Sequence, residues 1–323
     1  MSRIAITGAN GFVGGALLKK LNELSKWSIL AITRKPYDAS LDYCNVSSLV
    51  IPDLAQIKQF EDHLIGVDVL VHAAARVHVM KDAAENPLLE FRRVNCSNTL
   101  ALAAAAAKCG VKRFVFISSV KVNGEESLRY HPITEADIAS PLDPYGISKY
   151  EAEQKLFELA EETGMEVVVV RPPLVYGPGV KANFRAMMNW LYRRLPLPLG
   201  AIDNRRSLVG LDNLVDMLIT CLEHPEAANQ VFLVSDGEDL STTCLLKRMG
   251  IALGFPALLF PVPEGVLGVT ALLIGKRNFS QRLCGSLQVD ISKARELLNW
   301  VPPVSVDEQL RKTAVAFLQE MER

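Results

Sequence analysis

A chain of 323 residues has room for about two domains of typical size, or for one large α/β unit with an appended lobe. Hydrophobic residues make up 49% and charged residues 22%, near the globular average, which argues against a disordered chain, a collagen-like repeat or a disulfide scaffold. Thirty-five Lys and Arg against 36 Asp and Glu leave a formal net charge of -1, which argues against a partner bound by bulk charge, whether nucleic acid or an anionic membrane.

The chain enters a strand at once, at Arg3-Ile4-Ala5-Ile6, without a charged-then-apolar leader, so a cytoplasmic protein is expected. Through the first half, short apolar runs alternate with helical patterns. Strands are expected at Arg3–Thr7, Ser28–Thr33, 47–51, 67–73, 113–118 and Glu166–Arg171, and helices at 12–25, 54–64, 87–109 and Pro144–Thr163. Strands apolar throughout fit a parallel sheet covered on both faces, so the fold class is α/β, a Rossmann-type doubly wound parallel sheet. After Arg171 the prolines 172, 173, 178, 196 and 198 loosen the pattern. A smaller, partly interleaved C-terminal substrate lobe is expected there. Residues 1–171 form the dinucleotide-binding domain and 172–323 mainly the substrate lobe, with short strands at 207–211 and 230–234 and a return to the first domain near 205–222. The apolar stretch 251–275 is broken by Pro256, Pro261, Pro263, Gly265 and Gly268, so it predicts a buried segment and no membrane span. Cys44, Cys96, Cys109, Cys221, Cys244 and Cys284 form no CxxC pair and read as reduced thiols. His63, His72, His78, His131 and His224 have no metal-ligand spacing, so no metal is expected.

Chemistry enters at Thr7-Gly8-Ala9-Asn10-Gly11-Phe12-Val13-Gly14, between the first strand and the first helix. Gly8 permits a tight turn, Gly11 lets the backbone approach a pyrophosphate, and Gly14 lets helix and strand pack closely. The helix N-terminus supplies amide N–H groups and the positive end of its dipole. At the end of the second strand, Thr33-Arg34-Lys35 lacks the acid that would bond the ribose of NAD, and Arg34 suits a 2′-phosphate. NADP(H) is therefore favoured, with NAD(H) open. On Pro144-Tyr145-Gly146-Ile147-Ser148-Lys149, Tyr145 and Lys149 share one helix face. A phenol is a poor base near neutrality unless its ionised form is stabilised, and the Lys149 charge would do that.

The GxxGxxG spacing, with the later motifs, resembles the extended short-chain dehydrogenase/reductase family, in its NAD-dependent epimerase/dehydratase group. Asp53-Leu54 resembles the adenine-contacting pair, Ala73-Ala74-Ala75 the segment over the cofactor, and Asn95 a helix asparagine. The resemblance implies further cofactor contacts from Ser118 and Pro172. It makes Ser119 the catalytic hydroxyl, beside Val122-Asn123-Gly124 where relatives have Val-Tyr-Gly. Ser119 would bond the reacting oxygen, Tyr145 would move its proton, and Lys149 would tune Tyr145 and hold the nicotinamide ribose. Sugar dehydratases of the family carry Asp-Glu after that hydroxyl. This chain has Val120-Lys121, which rejects dehydratase activity.

Arg171-Pro172-Pro173-Leu174-Val175-Tyr176-Gly177 resembles the segment opening the substrate cleft, and Asn183, Phe184, Arg206 and Arg282 resemble groups that hold a nucleotide-sugar diphosphate. Lys121 is a further candidate at the sugar. A UDP-sugar substrate follows, with hydride transfer at hexose C4. A 4-ketoreductase or dehydrogenase acting on a UDP-6-deoxy-N-acetylhexosamine is the first reading, because Arg34 favours an exchangeable NADPH. A redox-neutral UDP-hexose or UDP-N-acetylhexosamine 4-epimerase is the alternative. Behind them stand a non-sugar ketone reductase and a redox-inactive dinucleotide-sensing scaffold. The resemblance also implies a homodimer through the helices at 87–109 and Pro144–Thr163.

Overall fold

The computed structural model describes residues 2–36, 45–77, 86–263, 265–267 and 283–322. Seven of its strands make one parallel sheet: β1 (Arg3–Thr7), β2 (Ser28–Thr33), β3 (Val46–Val50), β4 (Val69–His72), β5 (Arg113–Ile117), β6 (Glu166–Arg171) and β9 (Gln230–Leu233), in the order β3-β2-β1-β4-β5-β6-β9. Side chains alternate between its faces. Ile4 and Ile6 enter one core with α1 (Phe12–Leu24) and α6 (Leu211–Glu223), while Ala5 enters the other, with α3 (Asn98–Lys108) and α4 (Pro144–Thr163). Val167, Val168, Val169 and Val170 are all 0% exposed, which is why the middle of β6 is a run of valines.

The chain winds outward from β1 to β3, then crosses back to β4 on the other side of β1. That reversal is the switch point at which open α/β sheets bind ligands, outside the carboxyl ends of the strands. A second sheet, β10-β8-β7, combines β7 (Leu174–Tyr176), β8 (Arg206–Gly210) and β10 (Asp239–Leu240). A separate core of Tyr176, Phe184, Met188, Leu246, Met249 and Phe317 lies among α5 (Ala182–Tyr192), α7 (Thr242–Ala252) and α9 (Val306–Met321). The remaining described helices are α2 (Pro87–Arg92) and α8 (Ser292–Leu298).

Four expectations change. The helix expected over 54–64 is two 3₁₀ turns, Leu54–Gln59 and Glu61–Leu64. Its apolar residues Leu54, Ile57 and Phe60 recur every third position, which suits three residues per turn. The helix expected over 87–109 is broken by a π turn at Arg93–Ser97 between α2 and α3. The strand assigned to the substrate lobe at 230–234 is β9, the seventh strand of the main sheet, paired with β6 in register Val169↔Val231. It is delivered there because α6 packs back over α1. The apolar stretch 251–275 is not the buried segment expected: α7 stops at Ala252, Gly254 takes φ +89°, Leu259 bridges Leu197, and of its described residues only Leu253 is buried, while Ile251, Leu258, Phe260 and Val266 are exposed; residues 268–275 lie outside the described ones, as does Cys44. No described helix is long and apolar enough to cross a membrane.

Candidate active site

Parallel pairing brings the carboxyl ends of β1, β4, β5 and β6 to one edge, so the segments leaving them meet there whatever their separation in sequence. Gly8 leaves β1 with φ +68°, and a Cβ on it would stand 2.8 Å from the Ala74 amide nitrogen. A Cβ on Gly14 would stand 2.3 Å from the Gly8 carbonyl oxygen. Glycine is thus needed for its conformation at the first position and for close backbone approach at the second. The Gly11 amide closes the turn on the Gly8 carbonyl at 2.7 Å. Helix α1 then begins at Phe12 with no side-chain cap and no acid in its first turn. The amides of Phe12, Val13 and Gly14 keep the positive end of the helix open, and a dinucleotide pyrophosphate fits this cradle. Ala73, Ala74 and Ala75 form the facing wall, with the Ala73 amide on the Thr7 carbonyl at 3.3 Å.

On the adenine side, Asn10 Nδ2 donates to the Lys35 carbonyl at 3.4 Å, and Arg34 and Lys35 are exposed at the end of β2. Asp53 is more committed than its motif suggests. Its carboxylate accepts from the Ala55 amide at 3.0 Å, Asn98 Nδ2 at 3.1 Å and Arg93 Nη1 at 3.2 Å. The Ala55 amide first, with Arg93 and Asn98, holds its carboxyl below the usual range against burial, which pulls the other way. Leu54 packs half-buried on the sheet core.

Ser119, Tyr145 and Lys149 come together at the ends of β5 and the start of α4. Asp143 caps α4, accepting from the Gly146 amide at 2.6 Å, and Pro144 opens the helix. Gly146 lets that end come close: a Cβ there would stand 2.7 Å from the Lys121 carbonyl oxygen. Tyr145 therefore reaches Ser119, and the two side chains interact. Phe91 on α2 meets the Tyr145 ring edge-on at 6.1 Å. The Ser119 hydroxyl accepts from the Lys121 amide at 3.3 Å, leaving its own proton to donate.

Burial sets the charge states here. Lys149 is 1% exposed, donates from Nζ to the Ile117 carbonyl at 2.7 Å and stands 4.2 Å over the Phe116 ring. Burial brings its ammonium down to about 7, with the Glu153 carboxylate pulling the other way. Tyr145 moves up from the ordinary phenol value, through burial first and the Asp143 charge second, while its contact with Ser119 pulls it down. The lowering by Lys149 expected from the sequence is absent from this balance, because an ammonium brought down to about 7 has lost its charge before the raised phenol titrates. Tyr145 here is a neutral phenol. His72, 1% exposed, links Thr7 at 2.7 Å to Thr99 at 3.0 Å, and burial pushes it down to about 3.

Several expected contacts are occupied by the protein itself. Asn95, in the π turn, accepts from the Arg76 amide at 2.8 Å and donates to the Arg76 carbonyl at 3.0 Å and to Ser148 at 3.1 Å, bracing the segment after β4 against α4. Ser118, 3% exposed, gives its hydroxyl to Glu153. Pro172 is buried, and its carbonyl accepts from Val120 at 3.0 Å, tying the end of β6 to the turn after β5 that carries Ser119. Lys121 is paired with Glu125 at 3.0 Å and with Asp143. Asn183 is exposed in the first turn of α5, but Phe184 is 1% exposed, stacked on Tyr176 at 5.1 Å inside the second core. Successive helical positions point about 100° apart, so the pair does not share one face. Arg206 starts β8 and donates to the Gly285 carbonyl at 2.8 Å. Arg282 lies outside the described residues. What sequence reasoning missed is Glu153 and its Arg171 partner; the i, i+4 step from Lys149 was its one visible signal.

The profile of the NAD dependent epimerase/dehydratase family matches residues 4–235. A Vibrio cholerae protein named UDP-glucose 4-epimerase is 45% identical over 321 residues, 99% of this chain and 97% of its own length. The Thermotoga maritima UDP-glucose 4-epimerase structure with UDP-glucose has a TM-score of 0.79 at 24% identity, covering 99% of both chains. The Bacillus cereus UDP-glucuronic acid 4-epimerase structure, in complex with NAD, has a TM-score of 0.80 at 21% identity, covering 99% of this chain and 98% of that one. These two structures speak for the fold. With the glycine cradle, the Tyr145–Lys149 face and a family profile spanning most of the chain, the conclusion is that this protein belongs to the NAD-dependent epimerase/dehydratase family of extended short-chain dehydrogenases/reductases.

Proposed function

We propose that this protein is a redox-neutral 4-epimerase of a UDP-hexose, with UDP-glucose and UDP-galactose the first pair to test. The observation that carries this reading is 45% identity across 99% of the chain to the Vibrio cholerae UDP-glucose 4-epimerase. The ketoreductase reading rested on Arg34 and on a favoured NADPH, and a basic strand end weighs less than likeness along the whole chain. NAD(H) is the cofactor of this reading, held by the uncapped start of α1, Gly8, Gly11 and Gly14. When bound, its nicotinamide accepts hydride from C4 and returns it.

The chain's own residues then handle the proton and the geometry. Ser119 turns the hydroxyl proton it shares with Tyr145 to the C4 oxygen, orienting that oxygen toward Tyr145. Tyr145, as a phenolate that the positive charge of an oxidised nicotinamide bound beside it would favour, takes the proton from the C4 oxygen in one half of the cycle and, as the phenol, gives it back in the other, so no net proton is consumed. Lys149 supplies a buried cation on the same helix face and holds the nicotinamide ribose. In this reading Asn183 and Arg206 bind the diphosphate from the second lobe, Arg282 is assigned to the same group by resemblance alone, and Lys121, paired with Glu125 and Asp143, is a candidate contact to the sugar. Residues 1–171 with β9 serve the dinucleotide and the second lobe serves the sugar. The same reading makes the protein a homodimer paired through α2, α3 and α4, which sedimentation equilibrium tests.

Purified protein incubated with UDP-galactose is expected to yield UDP-glucose at a fixed equilibrium ratio, with the bulk nicotinamide absorbance unchanged. Tyr145→Phe should lower the rate by about 10²- to 10⁴-fold while leaving the fold intact. No interconversion of UDP-hexoses or UDP-N-acetylhexosamines, together with stoichiometric NADPH loss on a UDP-4-keto-6-deoxy sugar, would overturn the epimerase reading in favour of a ketoreductase.

A further inference from the structure

Helix α4 carries a third buried polar group that the reaction above leaves unused. Glu153 lies four residues beyond Lys149 and eight beyond Tyr145, on the same face, and is 0% exposed. Its carboxylate is fully engaged. Arg171 donates from Nε at 3.1 Å and 3.2 Å and from Nη2 at 2.5 Å, and the Ser118 hydroxyl donates to Oε1. Arg171, 5% exposed, extends Nη1 to Asn123 Oδ1 at 3.1 Å. One carboxylate thus joins α4 to the ends of β5 and β6.

A buried ion pair is weak evidence for stability, since apolar residues of similar volume often serve as well in its place. Lys149 supplies another reason for this one. The groups facing its ammonium are Glu153 from α4, His72 from β4, and the Phe116 ring and Ile117 carbonyl from β5, with Arg171 from β6 behind Glu153 and Tyr145 one turn earlier on the same helix. His72 and Tyr145 are neutral near pH 7, the first because burial takes it to about 3 and the second because burial raises it. Among the described residues, Glu153 supplies the attraction that opposes burial of the ammonium. Because Arg171 and Ser118 occupy the carboxylate, Glu153 acts through its field, and Lys149 keeps donors beyond the one given to Ile117.

We propose that Glu153 is a positioning residue for Lys149: its carboxylate, fixed by Arg171 and Ser118, keeps the lysine charged and aimed at the strand-end edge. This rests on the reading of Lys149 as part of the catalytic set. The adjacent rungs match it, since Ile117 holds the ammonium and Ser118 the carboxylate.

The test is a titration of Lys149 in the holoprotein, followed by NMR of isotope-labelled lysine ε-carbons and assigned by the signal lost in Lys149→Met. Glu153→Gln keeps the shape and one accepting oxygen while removing the charge. It is expected to lower the Lys149 midpoint by about one pH unit, and the alkaline limb of UDP-galactose turnover with it. Arg171→Met, which uncovers the carboxylate, is expected to move both the other way. An unmoved midpoint in folded Glu153→Gln overturns the proposal. If that variant does not fold, the apolar pair Glu153→Leu with Arg171→Met reads the same midpoint, and again a lowered value supports the proposal and an unmoved one overturns it. Turnover of Lys149→Met separates the two levels: a wild-type rate removes the catalytic reading itself, whereas an inactive Lys149→Met with an unmoved midpoint in Glu153→Gln removes only the role of Glu153.

Discussion

Gly14 and Gly15 are neighbours in the first turn of α1, and replacing each with alanine separates two effects that usually travel together. Both substitutions remove a helix glycine, which alone stabilises by about 0.5–1 kcal/mol. They differ in what the new methyl meets. At Gly15 it would stand 3.3 Å from the Ala9 carbonyl oxygen, a tight contact that a small adjustment relieves. At Gly14 it would stand 2.3 Å from the Gly8 carbonyl oxygen and 2.8 Å from the Gly8 carbonyl carbon, both backbone atoms of the turn. Roughly 1 Å of separation must be found there. Held in place, the overlap costs about 1–3 kcal/mol, more than the helix gain returns. Relieved by movement, it withdraws the α1 amides from the pyrophosphate, and one charge-assisted hydrogen bond lost is about 1.5–3 kcal/mol, or ten- to a hundredfold in affinity. Gly14→Ala should therefore lower the urea midpoint, weaken NADH binding by at least about tenfold, or both, while Gly15→Ala changes neither by much. Calorimetric titration with NADH and urea unfolding of both variants decide it. A Gly14→Ala protein with wild-type affinity and stability would refute the close-approach argument.

His72 and Arg34 test the interior and the rim of the same site. The neutral His72 imidazole takes its proton at about 3 when folded but near 6.5 when unfolded, so the unfolded chain gains protons first as pH falls. Stability present above pH 6.5 is lost on the way down to about 3, at up to about 1.4 kcal/mol per pH unit. His72→Gln should lower the urea midpoint at pH 7 yet show a shallower fall toward pH 5, and equal falls in both proteins would refute the assignment. Arg34→Glu should weaken NADPH by ten- to a hundredfold relative to NADH if Arg34 meets a 2′-phosphate, as a lost charge-assisted bond requires. Equal changes for both nucleotides would make Arg34 a solvated strand end.

Legibility in the sequence followed how local the physical demand was. The glycine turn could be read because Gly8 needs a positive φ and Gly14 a bare backbone, and both demands arise within one strand-to-helix junction. Tyr145 and Lys149 could be paired because four residues on a helix make one face. The strands of the main sheet could be read because residues such as Val167–Val170 are buried on both sides and leave no polar alternation to mislead. The π turn was hidden because it changes the helix by a single residue; yet that turn is what aims Asn95 at Arg76 and Ser148. Strand β9 was hidden because its membership depends on α6 folding back over α1, a fact of topology that no local pattern in 230–234 carries.

The charges around the Tyr145–Lys149 face form two matching arrangements, and neither is visible from motif spacing alone. Asp143, at the start of α4, raises Tyr145; Glu153, ten residues on, raises Lys149. Each carboxylate is covered by a cation from a strand-end segment, Asp143 by Lys121 after β5 and Glu153 by Arg171 at the end of β6. A bare carboxylate at either place would pin its neighbour in the protonated form, and no carboxylate at all would leave Lys149 to burial. Covered anions hold the acid and the ammonium between those extremes, and the covering cations also tie α4 to the strands that carry Ser119. The same contacts that set protonation therefore set distance. Lys121 gains a reason to stand where dehydratases carry an acid: besides any contact with a sugar, it neutralises the helix cap beside the phenol.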